Sequence, residues 1–119
     1  MIRPLNFSKQ DADRTADALR QIGATVTTLV DPTRPVLLAA IEQTLRSTGQ
    51  SGNFYFYFAG HGWSMNGENM VGLADLDVSG NTPTGAFSVE ELKTSIRRFA
   101  PAASFAFLDV CRNEVRRVR

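Results

Sequence analysis

The chain contains one cysteine, Cys111, and one histidine, His61. A thiol next to an imidazole forms a nucleophile and a proton-transfer partner, the minimum equipment of a cysteine hydrolase. Each residue follows a run rich in aromatic or branched side chains that is typical of a buried strand, Phe54–Ala59 before the histidine and Ser104–Val110 before the cysteine. Since the carboxyl ends of parallel strands meet at one edge of a sheet, parallel pairing predicts that the two residues lie together.

Each residue also has an ordinary structural interpretation. A cysteine at the end of a core strand is most often a small buried hydrophobe, and a lone histidine is more often structural than catalytic. The pair is more specific because Gly60 and Gly62 flank His61 and let a backbone pass close to a scissile carbonyl. The backbone N–H groups of Gly62 and Cys111 are natural oxyanion donors, and a helix over residues 112–115 would favour the thiolate.

Helical and strand patterns alternate along the chain. The first half is predicted to contain a helix from Ser8 to Gly23, a strand Ala24–Val30, a helix that begins at Asp31-Pro32 and ends at Gly49, and a central strand Phe54–Ala59. The second half is predicted to contain a short strand Asn69–Leu73, a loop Asp75–Gly85, a helix that begins with a Ser88–Glu91 capping box and ends at Pro101, and a strand Ser104–Val110. This order predicts an α/β fold with a mostly parallel sheet flanked by helices, and Phe54–Ala59 covered on both faces.

Length and composition set the broad class. The 119 residues suit a single domain over 1–119, and a net charge of +1 gives no reason to expect nucleic acid or a membrane as a partner. The basic tail of Arg112, Arg116, Arg117 and Arg119 would suit a nucleic-acid contact or a charged helix face equally well, and we prefer the helix face. A lone cysteine and a start without a signal-peptide pattern predict a reducing, cytoplasmic setting. One histidine and one cysteine disfavour a structural zinc site.

Two motifs carry a family resemblance. Ala59–Gly62 and Asp109–Asn113 resemble the catalytic motifs of the caspase-like cysteine peptidases, especially the bacterial metacaspase-type (orthocaspase) members. The separation of 50 residues between His61 and Cys111 also agrees with the spacing of roughly 50 known for caspases. The resemblance covers Pro4–Asn113 and implies a caspase-like sheet with flavodoxin-like strand order.

The resemblance implies a role for each motif residue. Cys111 would be the nucleophile and His61 the general acid and base. Metacaspase-like enzymes cleave after Arg or Lys with acidic residues in the S1 pocket, and Asp109 matches one of these positions. A carboxylate pairs with a guanidinium in a bidentate way that no neutral side chain matches. The structural alternative is that Asp109 caps the following turn.

The chain departs from the family pattern at both ends. Family members begin with a hydrophobic strand that lies between the strands matching Ala24–Val30 and Phe54–Ala59, and they continue past the cysteine with a small subunit. We therefore expect a partial large-subunit (p20-like) domain with an incomplete sheet that self-associates, and low or no activity of the isolated chain. The two strands could pair directly, another chain could fill the gap, or the fold could be marginal.

An acidic segment has some features of a calcium site. Asp75–Gly80 matches the first half of an EF-hand loop, but the twelfth position is Ala86 instead of glutamate. Because many metacaspase-like enzymes are activated by calcium, Asp75, Asp77 and Glu68 are secondary candidates for an ion or for substrate contact. A solvated acidic loop fits them better, and the peptidase chemistry requires no cofactor.

Two other functions compete with a peptidase that cleaves after basic residues. The first is a catalytically inactive caspase-like interaction module (a pseudoprotease). The second is a flavodoxin-like binding domain in which His61 and Cys111 are incidental. The second is weakened because no phosphate-binding glycine loop follows an early strand.

Overall fold

The computed structural model describes residues 6–112. The elements, in chain order, are α1 (Asn6–Gln21), α2 (Arg34–Thr48), β1 (Asn53–Met65), β2 (Glu68–Asp77), β3 (Thr84–Ser88), α3 (Val89–Phe99) and β4 (Ala103–Arg112). The strands form one sheet in the order β3-β2-β1-β4. No helix in this part of the chain is long and apolar enough to cross a bilayer.

The α/β class is confirmed, but the sheet is mixed rather than mostly parallel. β1 and β4 are parallel, whereas β1 with β2 and β2 with β3 are antiparallel. The physical reason is the two-residue turn at Asn66 and Gly67, whose φ angles are 52° and 79°. Two positive φ values at an Asn-Gly pair make the type I′ turn that joins antiparallel strands. This hairpin extends the predicted short strand Asn69–Leu73 to the full length of β2.

The hydrophobic core lies between the sheet and helices α2 and α3. Its buried members come from both helices and from three strands: Leu37, Ile41, Leu45, Phe54, Phe56, Val71, Leu73, Phe87 and Leu92. Phe58, Leu108 and Val110 pack against this cluster. Alternate residues of β1 and β4 therefore point into one core, as the two-residue period of a strand requires.

The observed helix boundaries agree best with the predicted ones at the C-terminal ends of the helices and at both ends of α3. The Ser88–Glu91 capping box is confirmed, with Glu91 N–H donating to Ser88 Oγ at 3.0 Å. The two other starts differ from the prediction. α1 already begins at Asn6, so Ser8 is not its N-cap. α2 begins after Thr33, which places Pro35 rather than the predicted Pro32 in its first turn.

The prediction of a strand over Ala24–Val30 is wrong. This segment follows α1, where Ala24 N–H donates to the Leu19 carbonyl oxygen at 3.0 Å, and it then runs to α2 without joining the sheet. Leu29 packs against the core, but Val30 is 58% exposed. The β-branched composition favours extended backbone, yet a strand also needs a hydrogen-bonded neighbour. Among residues 6–112 no strand lies beside this segment, so direct pairing with β1 does not occur.

The prediction that both faces of β1 are covered is wrong in part. Phe54 and Phe56 are buried, whereas Tyr55 is 39% exposed and stacks on Phe105 of β4, with ring centroids 5.2 Å apart. Phe105 and Phe107 are exposed as well, so β4 is not a buried strand. The reason is that α2 and α3 pack on the opposite face of these two strands.

An arginine at the start of α2 connects three other elements. The Arg34 guanidinium donates to both carboxylate oxygens of Glu91 on α3 and, at 2.7 Å, to the carbonyl oxygen of Ala86 on β3. The Arg34 backbone N–H donates to Asp75 Oδ1 on β2 at 3.0 Å. The hydrogen bond from Arg34 is the main cause that lowers the pKa of the Glu91 carboxyl, and burial opposes it.

This network predicts an acid-sensitive contribution to stability. The folded state lowers the pKa of Glu91 below its ordinary value of 4.5. The ionised carboxylate therefore stabilises the fold at pH values above 4.5, and this stabilisation is lost as the pH falls through the pKa of the folded state. Glu91→Gln should cost roughly 1 kcal/mol at pH 7, since Glu91 is partly exposed, and should flatten the acid dependence. Urea unfolding between pH 7 and pH 3 measures both effects.

The matched control is Glu90→Gln, which removes the neighbouring carboxylate that bonds only to exposed Lys93. This variant should keep the acid dependence of the unmodified chain. Equal flattening by both variants would show that the Arg34 network is not the source.

Candidate active site

The parallel ladder between β1 and β4 defines the relative position of the two candidate residues. Within the described residues it runs from the pair Asn53 with Ala103 to the pair Gly62 with Arg112, and it places His61 directly opposite Cys111. Neighbouring strands lie about 4.8 Å apart, so the backbones of the histidine and the cysteine are one strand spacing from each other. The structure therefore brings together the two residues that the sequence singles out.

Both residues lie within strands, and not beyond strand ends as predicted. β1 continues past His61 to Met65 because the hairpin with β2 prolongs the ladder. β4 continues to Arg112, which still pairs with Gly62. The predicted helix over 112–115 therefore does not begin at Arg112, and its remaining residues lie outside the described range.

Gly62 is held between two strands. It pairs with Val71 of β2 on one side and with Arg112 of β4 on the other. A Cβ at this buried position would lie 3.0 Å from the Met70 carbonyl oxygen and 3.1 Å from Val110 Cβ, closer than ordinary contact. Because strands flank Gly62 on both sides, its N–H faces a neighbouring strand. The predicted oxyanion donor is thus part of the ladder in this conformation.

Asp109 lies two residues before Cys111 in β4 and pairs with Ala59. Paired residues of parallel strands project to the same face, so the Asp109 carboxylate and the half-buried His61 imidazole emerge on one side of the sheet. Asp109 is exposed and lies inside the strand. The alternative that it caps a turn is therefore wrong.

The face that carries His61 and Asp109 also carries aromatic side chains that the sequence interpretation assigned to the core. Phe105 and Phe107 are 44% and 57% exposed, and they share this face with Tyr55. The signal was available in β4, because the two phenylalanines alternate in step with the polar Asp109. A carboxylate at the next position of the same face marks that face as accessible to solvent.

The three secondary calcium candidates do not come together. Asp75 accepts the Arg34 N–H, and Asp77 Oδ1 accepts from the backbone N–H of Ser79 at 2.9 Å and from its hydroxyl at 2.6 Å. Glu68 begins β2 at the far end of that strand. Within residues 6–112, no three His, Cys, Asp or Glu side chains are placed to share a metal ion. These residues therefore do not fit a calcium site, and we derive no step through one.

Comparison with known proteins identifies the family. Residues 1–118 match the peptidase C14 family, described as the caspase domain. Over 84 residues the chain is 32% identical to a probable protease of a Desulfuromonadales bacterium, an alignment that covers 68% of this chain and 10% of that protein. The chain therefore belongs to the caspase-domain family of peptidases. It spans about a tenth of the length of this curated relative.

The close packing around Gly62 predicts a destabilising effect of an added methyl group. Gly62→Ala should cost about 1–3 kcal/mol, because the Met70 carbonyl and Val110 cannot both retreat without separating β2 or β4 from β1. Chemical denaturation measures this cost. The control is Gly80→Ala, where the nearest atom to the new Cβ, the Thr82 carbonyl oxygen, is 3.8 Å away. Its effect should stay within about 0.5 kcal/mol, and a Gly62→Ala effect of that size would contradict the prediction.

Proposed function

We propose that this chain is a cysteine-type endopeptidase domain of the metacaspase or orthocaspase type, with Cys111 as the nucleophile and His61 as its acid–base partner. The observation that carries the proposal is the pairing of His61 with Cys111 in the parallel ladder. Membership of the caspase-domain family supports peptidase chemistry. The single thiol supports a reducing, cytoplasmic setting.

The proposed reaction has two steps. The Cys111 thiolate attacks the carbonyl carbon of the scissile amide and forms a sulfur–carbon bond. The carbon–nitrogen bond then breaks, and the His61 imidazolium gives its proton to the leaving amine. In the second step a water gives a proton to His61 and attacks the thioester, which releases the carboxylic acid and returns the thiolate.

The tetrahedral intermediate of each step carries a negative oxygen that needs N–H donors. We assign this role to the backbone N–H groups of Cys111 and Gly62. Because Gly62 lies between two strands, its N–H can serve only if the pairing at this end of the ladder opens. This requirement is consistent with low activity of the chain by itself.

We also propose that Asp109 selects substrates with Arg or Lys before the cleaved bond. Its exposed carboxylate lies on the same face as His61, within two strand positions of Cys111. A guanidinium that binds this carboxylate would place the following peptide bond beside the cysteine. The charge and its position support a basic S1 subsite.

The thiol can be tested without turnover. A peptidyl acyloxymethyl ketone with Arg at its P1 position should modify the chain once, at Cys111, as measured by mass spectrometry. The His61→Ala variant should react at least about tenfold more slowly, because the thiolate loses its imidazolium partner. The control is Ser64→Ala, an exposed position in the same strand, which should react like the unmodified chain.

A Cys111 that reacts like a free thiol in both the unmodified chain and the His61→Ala variant would contradict the peptidase proposal. That result would favour the catalytically inactive interaction module.

The specificity of the site is tested with a pair of probes. The Arg probe should label Cys111 at least about tenfold faster than an otherwise identical Asp probe, and Asp109→Asn should remove the difference. Iodoacetamide, a small neutral reagent, should react equally with both proteins, which shows that the thiol itself is unchanged. Persistence of the Arg preference in Asp109→Asn would assign S1 to another residue.

A further inference from the structure

An aromatic ring and a carboxylate lie side by side in β4, just before the cysteine. Phe107, Asp109 and Cys111 occupy alternate positions of this strand. Alternate residues of a strand project to the same face, so the Phe107 ring and the Asp109 carboxylate are neighbours on the face that carries His61. This face therefore presents a ring and a negative charge one after the other.

Both groups are accessible to a ligand. Phe107 is 57% exposed, and Asp109 is exposed as well. Asp109 lies opposite Ala59, whose side chain is a single methyl group, so the neighbouring strand adds little bulk beside the carboxylate. A ligand can therefore approach the carboxylate and the ring from the same side of the sheet.

The spacing of the two side chains along the strand suits one guanidinium. Residues two positions apart in a strand are about 6.6 Å apart. A cation gains from an aromatic ring when it lies within about 6 Å of the ring centroid. A guanidinium that binds Asp109 on the side toward Phe107 meets this condition, because it occupies the interval between the two side chains.

The direction of the strand determines the order in which a substrate side chain meets these groups. On the proposed function, the P1 side chain starts beside Cys111 and runs along this face. It meets Asp109 first and Phe107 next, since these residues lie two and four positions before the cysteine. The planar guanidinium of arginine stacks on aromatic faces, whereas the lysine ammonium is a compact and strongly hydrated charge.

We propose that Phe107 is a specificity-determining residue whose ring stacks on the guanidinium of a P1 arginine that Asp109 binds. The inference rests on the proposed function and narrows its substrate class, because Asp109 attracts either basic side chain and Phe107 favours arginine over lysine. Stacking of a cation on an exposed ring strengthens binding by about two- to fivefold.

The test compares two peptidyl acyloxymethyl ketones that differ only in Arg or Lys at P1, by their second-order rates of labelling Cys111. The arginine probe should react faster with the unmodified chain, and Phe107→Leu should lower the ratio of the two rates by about two- to fivefold. Phe107→Tyr keeps the ring and should keep the ratio. The matched control is Phe105→Leu, which removes the other exposed phenylalanine of this strand, two positions further from Asp109, and should leave the ratio unchanged.

The outcomes separate this inference from the function on which it rests. An unchanged ratio in Phe107→Leu, with labelling that still depends on His61, would overturn the role of Phe107 and leave the peptidase proposal intact. Labelling that does not depend on His61 would remove the peptidase proposal, and the role of Phe107 with it.

A measurement on the unmodified chain keeps the test decisive if a variant fails to fold. Added n-butylguanidinium should show nuclear Overhauser contacts between its methylene protons and the ring protons of Phe107, and these contacts should disappear in Asp109→Asn. Contacts with other rings only, or no contact with any ring, would contradict the assignment to Phe107.

Discussion

The register of the parallel ladder between β1 and β4 is the constraint on which the site depends. Phe54 and Phe56 must enter the core with α2 and α3, and Leu108 and Val110 must follow from β4. A slip of one residue would turn the apolar set of one strand to the other face. Core packing therefore sets the register, and the register sets His61 opposite Cys111. Hydrophobic burial along the two strands therefore positions His61 relative to Cys111.

The hairpin holds the same strand from its other side. β2 pairs with β1 immediately after His61. The other end of β2 is bonded to the residues around the start of α2: Asp75 accepts the Arg34 N–H, and the Ala74 N–H donates to the Pro32 carbonyl oxygen at 3.0 Å. The Arg34 guanidinium in turn donates to the Glu91 carboxylate and to the carbonyl oxygen of Ala86 on β3. Gly62 has no room for a side chain because it lies between β2 and β4, where a Cβ would approach the Met70 carbonyl oxygen and Val110.

The sequence correctly predicted the features that depend on residues close together in the chain, but not those that depend on a neighbouring strand. The capping box at Ser88 and the helix end before Pro101 are set by residues a few positions apart, so the sequence alone was sufficient. Ala24–Val30 has strand composition, but its conformation depends on a neighbour that no local pattern reveals. The sequence did not predict β3, because this strand has only five residues and its first two, Thr84 and Gly85, belong to the predicted loop. That His61 and Cys111 lie on neighbouring strands was predictable from two strongly apolar runs, whereas their direct pairing depends on the register set by the core.

The ladder that aligns the two residues also occupies backbone groups that acyl transfer would use. Gly62 with Arg112 is the last pair of this ladder within residues 6–112, and it lies beyond the part of β1 that enters the core through Phe54 and Phe56. Opening this pair would free the Gly62 N–H, which faces β4, and would leave the long apolar part of the register in place. Alignment would then rest on the part of the ladder that packs into the core, and oxyanion stabilisation on the pair beside Cys111. On the proposed function, a substrate that stabilised this opening would gain an oxyanion donor while His61 stayed opposite Cys111.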